Sequence, residues 1–330
     1  MKNILLFGCG HHGERYVNYF KNIPDFNLYI VEIQKDRLSQ IRFKFKEYQN
    51  IFLYNSIEEF EQQDIDVEYG IVSNWAVDRI ETIKYLKNIN CSKILVEKPF
   101  ATSIKDLYTI NSMQNKEFMI YPSLPNNFSS FYSNLSDIVN TYNLGEIQSM
   151  HVNCGAKGLI NNGVHYVDIA NNLFNSKFEE SLGKVTYDFI NPRNKDLKFY
   201  AGNLLFYFEN DKLLNLNFYN KSMMSSVFDF IYRFGRITIN ENGDGYLHYI
   251  NRNNRDLPIT RTKDGERIKL NDFFGDYITS FRNNIDFFIK EDNFKLVEKF
   301  YLKSSLSLET LYKAIYQSLD LERDFNLNTS

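Results

Sequence analysis

The chain has 330 residues, with 38 Lys and Arg against 41 Asp and Glu and a net charge of −3. That length suits two ordinary domains, each able to bury its own core, and the near-balance of charge excludes the overall basic footprint of a nucleic-acid-binding chain. Three cysteines, Cys9, Cys91 and Cys154, are odd in number, far apart and without metal-ligand spacing, so neither a disulfide framework nor a metal site is expected.

The first elements in chain order set the organisation. Asn3 to Phe7 is a short apolar run that reads as a strand buried on both faces. It leads into Gly8-Cys9-Gly10-His11-His12-Gly13, a G-x-G-x-x-G spacing, and then into Glu14 to Phe20 with helical periodicity. A second strand, Phe26 to Val31, ends in Glu32, roughly twenty residues beyond the last glycine. In this arrangement Gly8 permits a tight turn, Gly10 lets backbone approach a pyrophosphate, and Gly13 lets helix and sheet pack closely. The pyrophosphate would rest on the amide end of the helix, with His11 and His12 beside it. A carboxylate at Glu32 accepts hydrogen bonds from ribose hydroxyls and repels a 2′-phosphate, so NAD is expected rather than NADP. The rival reading of the same loop is a methyltransferase that binds S-adenosylmethionine.

Strand and helix patterns go on alternating. Lys35 to Tyr48 is helical, and its run Arg42-Phe43-Lys44-Phe45-Lys46 reads as a solvated face beside core aromatics. Ile51 to Tyr54 is a strand, and Ser56 with Glu59 forms a capping box. Tyr69 to Ser73 is a strand, Val77 to Asn88 a helix, Lys93 to Glu97 a strand, and Thr102 or Ser103 opens a helix through Met113. Phe118 to Tyr121 closes the series. This is the pattern of a doubly wound parallel sheet, a Rossmann domain over residues 1–122, whose ligands bind beyond the carboxyl ends of the strands. Ser73-Asn74-Trp75 and Glu97-Lys98-Pro99 both fall at such ends.

After Pro122 the character changes to an α+β domain over residues 123–330. Phe128 to Tyr142 and Asn162 to Phe174 read as helices, and Gly145 to Cys154 as a strand. Leu204 to Phe208 and Leu213 to Phe218 flank Glu209-Asn210-Asp211-Lys212 as a hairpin. Val227 to Arg233 and Arg236 to Asn240 continue a largely antiparallel open sheet with helices on one face. Helices over 271–290 and 304–318 follow, and the last dozen residues, polar in composition, are expected to fray.

Chemistry is expected at two places. Lys98 projects from a strand end, where its ammonium can hydrogen-bond a substrate oxygen and stabilise charge that develops on it. Glu97 beside it orients the ammonium or touches the cofactor ribose, and Trp75 lines the pocket or packs between domains. Further on, His165 has the intrinsic pKa to exchange a hydroxyl proton near neutrality, with Gly163 removing bulk beside it and the helix start placing it in the first turn. Asp168, one turn on, would orient His165 or a substrate hydroxyl, or else stand as an acid on the helix surface.

In this order, the glycine loop, Glu32, Glu97-Lys98-Pro99, Gly145-Glu146-Ile147 and Gly163-Val164-His165-Tyr166-Val167-Asp168 resemble the Gfo/Idh/MocA family, the glucose-fructose oxidoreductase and inositol 2-dehydrogenase type. The resemblance spans residues 1 to about 175. It implies an oxidoreductase dependent on NAD or NADP that acts on a sugar, nucleotide sugar or related polyol. It also implies Lys98 as the substrate-binding lysine, His165 as the acid–base residue, and a homodimer or homotetramer formed through the C-terminal sheet. Two positions depart from the family's pattern. Asn161 stands where an Asp is usual, and an amide hydrogen-bonds a hydroxyl without raising the basicity of a nearby histidine. Asn126-Asn127-Phe128 stands where many members carry two arginines before the Phe. These departures keep open a second reading, a protein that binds the cofactor as a sensor or scaffold without turnover. The chain opens on a strand, and no apolar run approaches the eighteen or so residues of a membrane span, so a cytoplasmic protein is expected.

Overall fold

The computed structural model describes residues 1–191, 194–250, 265–322 and 325–329. The chain folds into two compact units. One contains Met1–Leu124, Asn284–Ser305 and Asn326–Ser330; the other contains Pro125–Asn283 and Leu306–Phe325.

The first unit is built on strands β1 (Lys2–Phe7), β2 (Phe26–Val31), β3 (Ile51–Tyr54), β4 (Tyr69–Val72), β5 (Lys93–Glu97) and β6 (Met119–Ser123). All the pairings are parallel, in the order β3-β2-β1-β4-β5-β6. Ile4, Leu5 and Leu6 of β1 are fully buried, as a strand covered on both faces requires. Helices α1 (His11–Phe20), α2 (Lys35–Lys44), α3 (Ile57–Glu61), α4 (Arg79–Asn88) and α5 (Ile104–Asn111) join the strands. This is the doubly wound order, with its switch point between β1 and β4.

Local sequence explains where several of these elements begin. Ser56 Oγ accepts from the Glu59 amide at 3.2 Å, while the Glu59 carboxylate reaches the Asn55 amide at 2.7 Å, one residue before the cap. Of the two candidate starts of α5, Ser103 is the cap and accepts from the Asp106 amide at 2.9 Å. α2 stops at Lys44, short of Tyr48, so the basic–aromatic run straddles the helix end. Phe45 is buried there, but Phe43 is 77% exposed and is not a core residue.

The second unit carries β7 (Ile147–Cys154), β8 (Phe178–Ile190), β9 (Lys198–Phe208), β10 (Lys212–Phe218), β11 (Val227–Tyr232), β12 (Gly235–Asn240), β13 (Gly245–Tyr249) and β14 (Glu266–Leu270). Their order is β14-β13-β12-β11-β7-β10-β9-β8. β7 and β10 run parallel and the other neighbours antiparallel. The expected hairpin is β9–β10, and Asn210 and Asp211 take positive φ at its turn, where short polar side chains are best tolerated. Along β10, Leu214 and Leu216 are buried while Leu213, Asn215 and Asn217 stay partly exposed, so the sheet has one core face and one open face. Helix α6 (Phe131–Thr141) precedes the sheet, and α7 (Leu159–Phe174) lies on its core face. There Tyr166 meets Phe218 and Phe228, and Phe174 meets Phe208.

The chain ends with α8 (Tyr277–Lys290) and α9 (Phe294–Leu319). No helix among the described residues is long and apolar enough to cross a membrane. The expected fraying of the last dozen residues is not what the described ones show. Leu327 is fully buried in the first unit, and its amide donates to the Thr102 carbonyl at 2.9 Å. Thr329 is buried as well, and the Phe325 carbonyl accepts from Tyr316 at 2.6 Å. Leu327→Ala is therefore expected to cost about 2–4 kcal/mol in chemical denaturation, as for a buried leucine; a change near zero would mean that the tail frays in solution.

Candidate functional site

The first unit gathers the glycine loop, Glu32, Ser73-Asn74-Trp75 and Glu97-Lys98 at the carboxyl ends of β1, β2, β4 and β5. The three glycines have separate roles. Gly8 turns out of β1 at φ +77°, and a Cβ there would lie 2.7 Å from the Asn74 backbone. A Cβ on Gly13 would lie 2.2 Å from the Gly8 carbonyl oxygen, so α1 packs on the turn only because that atom is missing. A Cβ on Gly10 would meet nothing within 4 Å. Gly10 caps α1, where the first-turn amides have no carbonyl ahead of them in the helix, and open space in front of it suits an anion. His11 is exposed, 3.3 Å from Arg15, and packs edge-on against the His12 ring.

Glu32 is only 6% exposed. One carboxylate oxygen accepts from the Cys9 amide at 2.7 Å and the other from the Gln34 amide at 2.9 Å. Its charge is thereby held between the glycine turn and the exit from β2. Arg37 lies close by, donating to the Cys9 carbonyl at 2.6 Å and pairing with Glu14, which Lys44 also engages. Burial alone would raise the Glu14 carboxyl, but the Lys44 and Arg37 hydrogen bonds outweigh it and hold it below the usual carboxylate range. Burial pushes the Cys9 thiol up to about 12, so it is a small neutral residue of the loop.

At the end of β4, Ser73 Oγ and Asn74 Oδ1 are buried and have no hydrogen-bond partner among the described residues. Unsatisfied buried polar atoms are costly, and two of them beside the glycine turn point to a ligand that supplies their partners. Together with the open face of Gly10, they fit a dinucleotide laid across the switch point. Trp75 follows, partly buried. At the end of β5, Glu97 is buried and accepts from Tyr16 at 2.5 Å and Ser123 at 3.1 Å, bonds that tie β5 to α1 and β6. Lys98 is partly exposed, and its peptide bond to Pro99 is cis.

The second unit carries Asn161, His165 and Asp168 on α7. The helix starts at Leu159, behind Gly158 at φ +80°, rather than near Asn162. His165 therefore sits in the second turn and not the first. Positions 161, 165, 168 and 172 follow helical spacing and share one face, a polar stripe on a helix whose apolar residues are mostly buried. Gly163 does not make room for His165. A Cβ there would touch the Leu159 and Leu311 side chains at 3.4 Å, so the glycine serves packing against α9. Asp168 is buried and accepts from Asn127 at 2.8 Å, Ser307 at 3.1 Å and Asn172 at 3.4 Å. Asn127, one of the two asparagines where the resemblance leads one to expect arginines, thus gives its amide to this carboxylate. Burial and the nearby Asp168 charge both push the Tyr132 phenol up.

Arg37 and Arg79, and the partner that Asn127 takes, are what the sequence does not reveal at the site. Arg79 donates to the carbonyls of Asn74, Glu97 and Pro99, and Arg37 to that of Cys9 besides its ion pair with Glu14; backbone partners leave no mark in a sequence. Asn127 meets Asp168 across forty-one positions.

No family model matches the chain, and no curated protein matches it by sequence. Solved structures do match. KijD10, a 3-ketoreductase from Actinomadura kijaniata in complex with NADP and TDP-benzene, superposes with a TM-score of 0.70 at 14% identity, over 95% of this chain and 97% of that one. Biliverdin reductase from Synechocystis sp. PCC 6803, in complex with biliverdin and NADP+, gives 0.71 at 10% identity, over 96% and 98%. UDP-N-acetylglucosamine 3-dehydrogenase GnnA from Acidithiobacillus ferrooxidans gives 0.63 at 10% identity, over 94% and 96%. The likeness establishes the fold: a parallel Rossmann-like sheet followed by a mixed, mostly antiparallel one.

The glycine roles yield a paired test. Gly13→Ala is expected to destabilise the protein by about 1–3 kcal/mol or more through overpacking against Gly8. Gly10→Ala should leave the denaturation midpoint unchanged yet weaken dinucleotide binding about tenfold or more, because its methyl enters the space open to the ligand. Equal effects of the two on stability would contradict the assignment.

Proposed function

We propose that this protein is an oxidoreductase that uses NAD to interconvert an alcohol and a carbonyl on a sugar, nucleotide sugar or related polyol. The observation that carries the reading is the switch-point crevice. There the open amide end of α1, the buried Glu32 carboxylate and the two unpartnered polar atoms of Ser73 and Asn74 converge. The similar folds of a 3-ketoreductase bound to NADP and TDP-benzene and of a UDP-N-acetylglucosamine 3-dehydrogenase support the substrate class.

The nicotinamide, when bound, would donate or accept the hydride. The chain's own residues would do the rest. Lys98 would hold the reacting oxygen and stabilise negative charge on it. His165 would take the hydroxyl proton in oxidation and return it in reduction. Asn161 would position a neighbouring hydroxyl, while Asp168, supplied with donors by Asn127, Asn172 and Ser307, would fix the polar stripe of α7. Glu32 would favour NAD over NADP: its carboxylate, held by the Cys9 and Gln34 amides at the end of β2, would accept from ribose hydroxyls and repel a 2′-phosphate. In this reading copies of the chain associate through the open face of the eight-stranded sheet.

A second reading, a protein that binds the cofactor without turnover, draws on Asn161 in place of a carboxylate and on Asn127 in place of a cation. An activity screen with NADH or NAD and nucleotide sugars separates the two. Turnover that falls about a hundredfold or more in Lys98→Ala, with dinucleotide affinity unchanged, is the expected result for a group that acts on the reacting oxygen. Equal loss of turnover and of dinucleotide affinity would sink the assignment of Lys98. Tight binding with no turnover on any substrate would favour the second reading.

A further inference from the structure

The turn that carries Lys98 is held by a cation on another element. Arg79, the first residue of α4, is only 6% exposed. One terminal nitrogen, Nη1, donates to both carbonyls that flank Lys98, that of Glu97 at 2.7 Å and that of Pro99 at 2.6 Å. Its other two nitrogens, Nε and Nη2, both donate to the Asn74 carbonyl, at 3.1 and 2.9 Å. A single planar guanidinium thus binds the exits of two adjacent strands, β4 and β5. The Asn74 backbone is the same stretch that packs against Gly8, so the fork connects the Lys98 turn to the wall of the glycine turn.

We propose that Arg79 is a positioning residue of the site, setting where Lys98 stands relative to the cofactor crevice. The inference rests on the reaction proposed above. A buried cation carries a large desolvation cost, which hydrogen bonds to well-placed acceptors must offset. A helix start needs no such group: a serine or aspartate would cap it. What a guanidinium provides and a lysine ammonium does not is a rigid planar fork able to reach three carbonyls in fixed directions. Positioning on this scale has kinetic consequences, since a displacement of about 1 Å costs about a hundredfold in rate.

The test uses the full chain with Arg79→Lys, which keeps the buried charge and loses the fork, and Arg79→Ala. Folded Arg79→Lys is expected to lose about a hundredfold in kcat while the Kd for NADH changes less than about threefold. Millimolar guanidinium should restore part of the activity of Arg79→Ala, and sodium or ammonium should not. Rates of lysine acylation at each position, read by mass spectrometry on native protein without substrate, should change at Lys98 in Arg79→Lys and stay constant at the other lysines. If the wild-type chain turns nothing over, the proposed reaction fails, and the labelling rates still decide whether Arg79 places Lys98. Unchanged kcat and unchanged Lys98 labelling in folded Arg79→Lys would overturn the proposal. So would a loss of activity that merely follows the folded fraction and does not respond to guanidinium.

Discussion

The close approach of α1 to the glycine turn is the constraint on which the first unit depends. Helix and turn meet at a separation that leaves no space for a methyl group on Gly13, and this fixes where the amide end of α1 points. Glu32 then closes the turn from the other side by accepting from the Cys9 amide. Behind the turn, the Asn74 backbone fills the space a side chain on Gly8 would need, and Arg79 fastens that same backbone to the turn around Lys98. Sterics, one buried anion and one buried cation therefore determine the geometry of the crevice in succession. Each step fastens backbone groups in place, and preorganisation of this kind lowers the ordering cost of binding.

The second unit solves a different problem. A helix packed on the core face of a sheet must hide most of its surface, yet α7 carries Asn161, His165, Asp168 and Asn172 along one stripe. The buried Asp168 carboxylate accepts from donors on the 3-10 turn before α6 (Asn127), on α7 itself (Asn172) and on α9 (Ser307). With an asparagine at position 127, the carboxylate gains a hydrogen bond from a neutral amide where a cationic side chain would add a charge.

Much of the first unit is legible in the sequence because its signals are local. Apolar runs bounded by turn residues mark the strands, and the glycine spacing together with Glu32 marks the switch point. Helix ends are less legible. Gly158 starts α7 through positive φ, a signal that Ser, Thr or Asp caps do not resemble, so the sequence pattern puts His165 one turn too early. The parallel pairing of β7 with β10 joins strands about sixty positions apart and has no counterpart in periodicity. Long-range polar contacts are the least visible. Nothing in the composition near Arg79 marks it as a partner of carbonyls eighteen and twenty positions away, and Leu327 looks like an incidental residue of a polar tail.

The central claim is that the glycine-loop crevice holds a nicotinamide dinucleotide and prefers the form without a 2′-phosphate. Trp75 is the chain's single tryptophan and directly follows Asn74 at this crevice. The most direct measurement is its emission during titration with NADH and, separately, NADPH, on protein first freed of any bound nucleotide. The account predicts saturable quenching by NADH, through energy transfer to reduced nicotinamide, at concentrations where NADPH has little effect. Quenching by neither would contradict it, and equal quenching by both would remove Glu32 as the group that selects the cofactor.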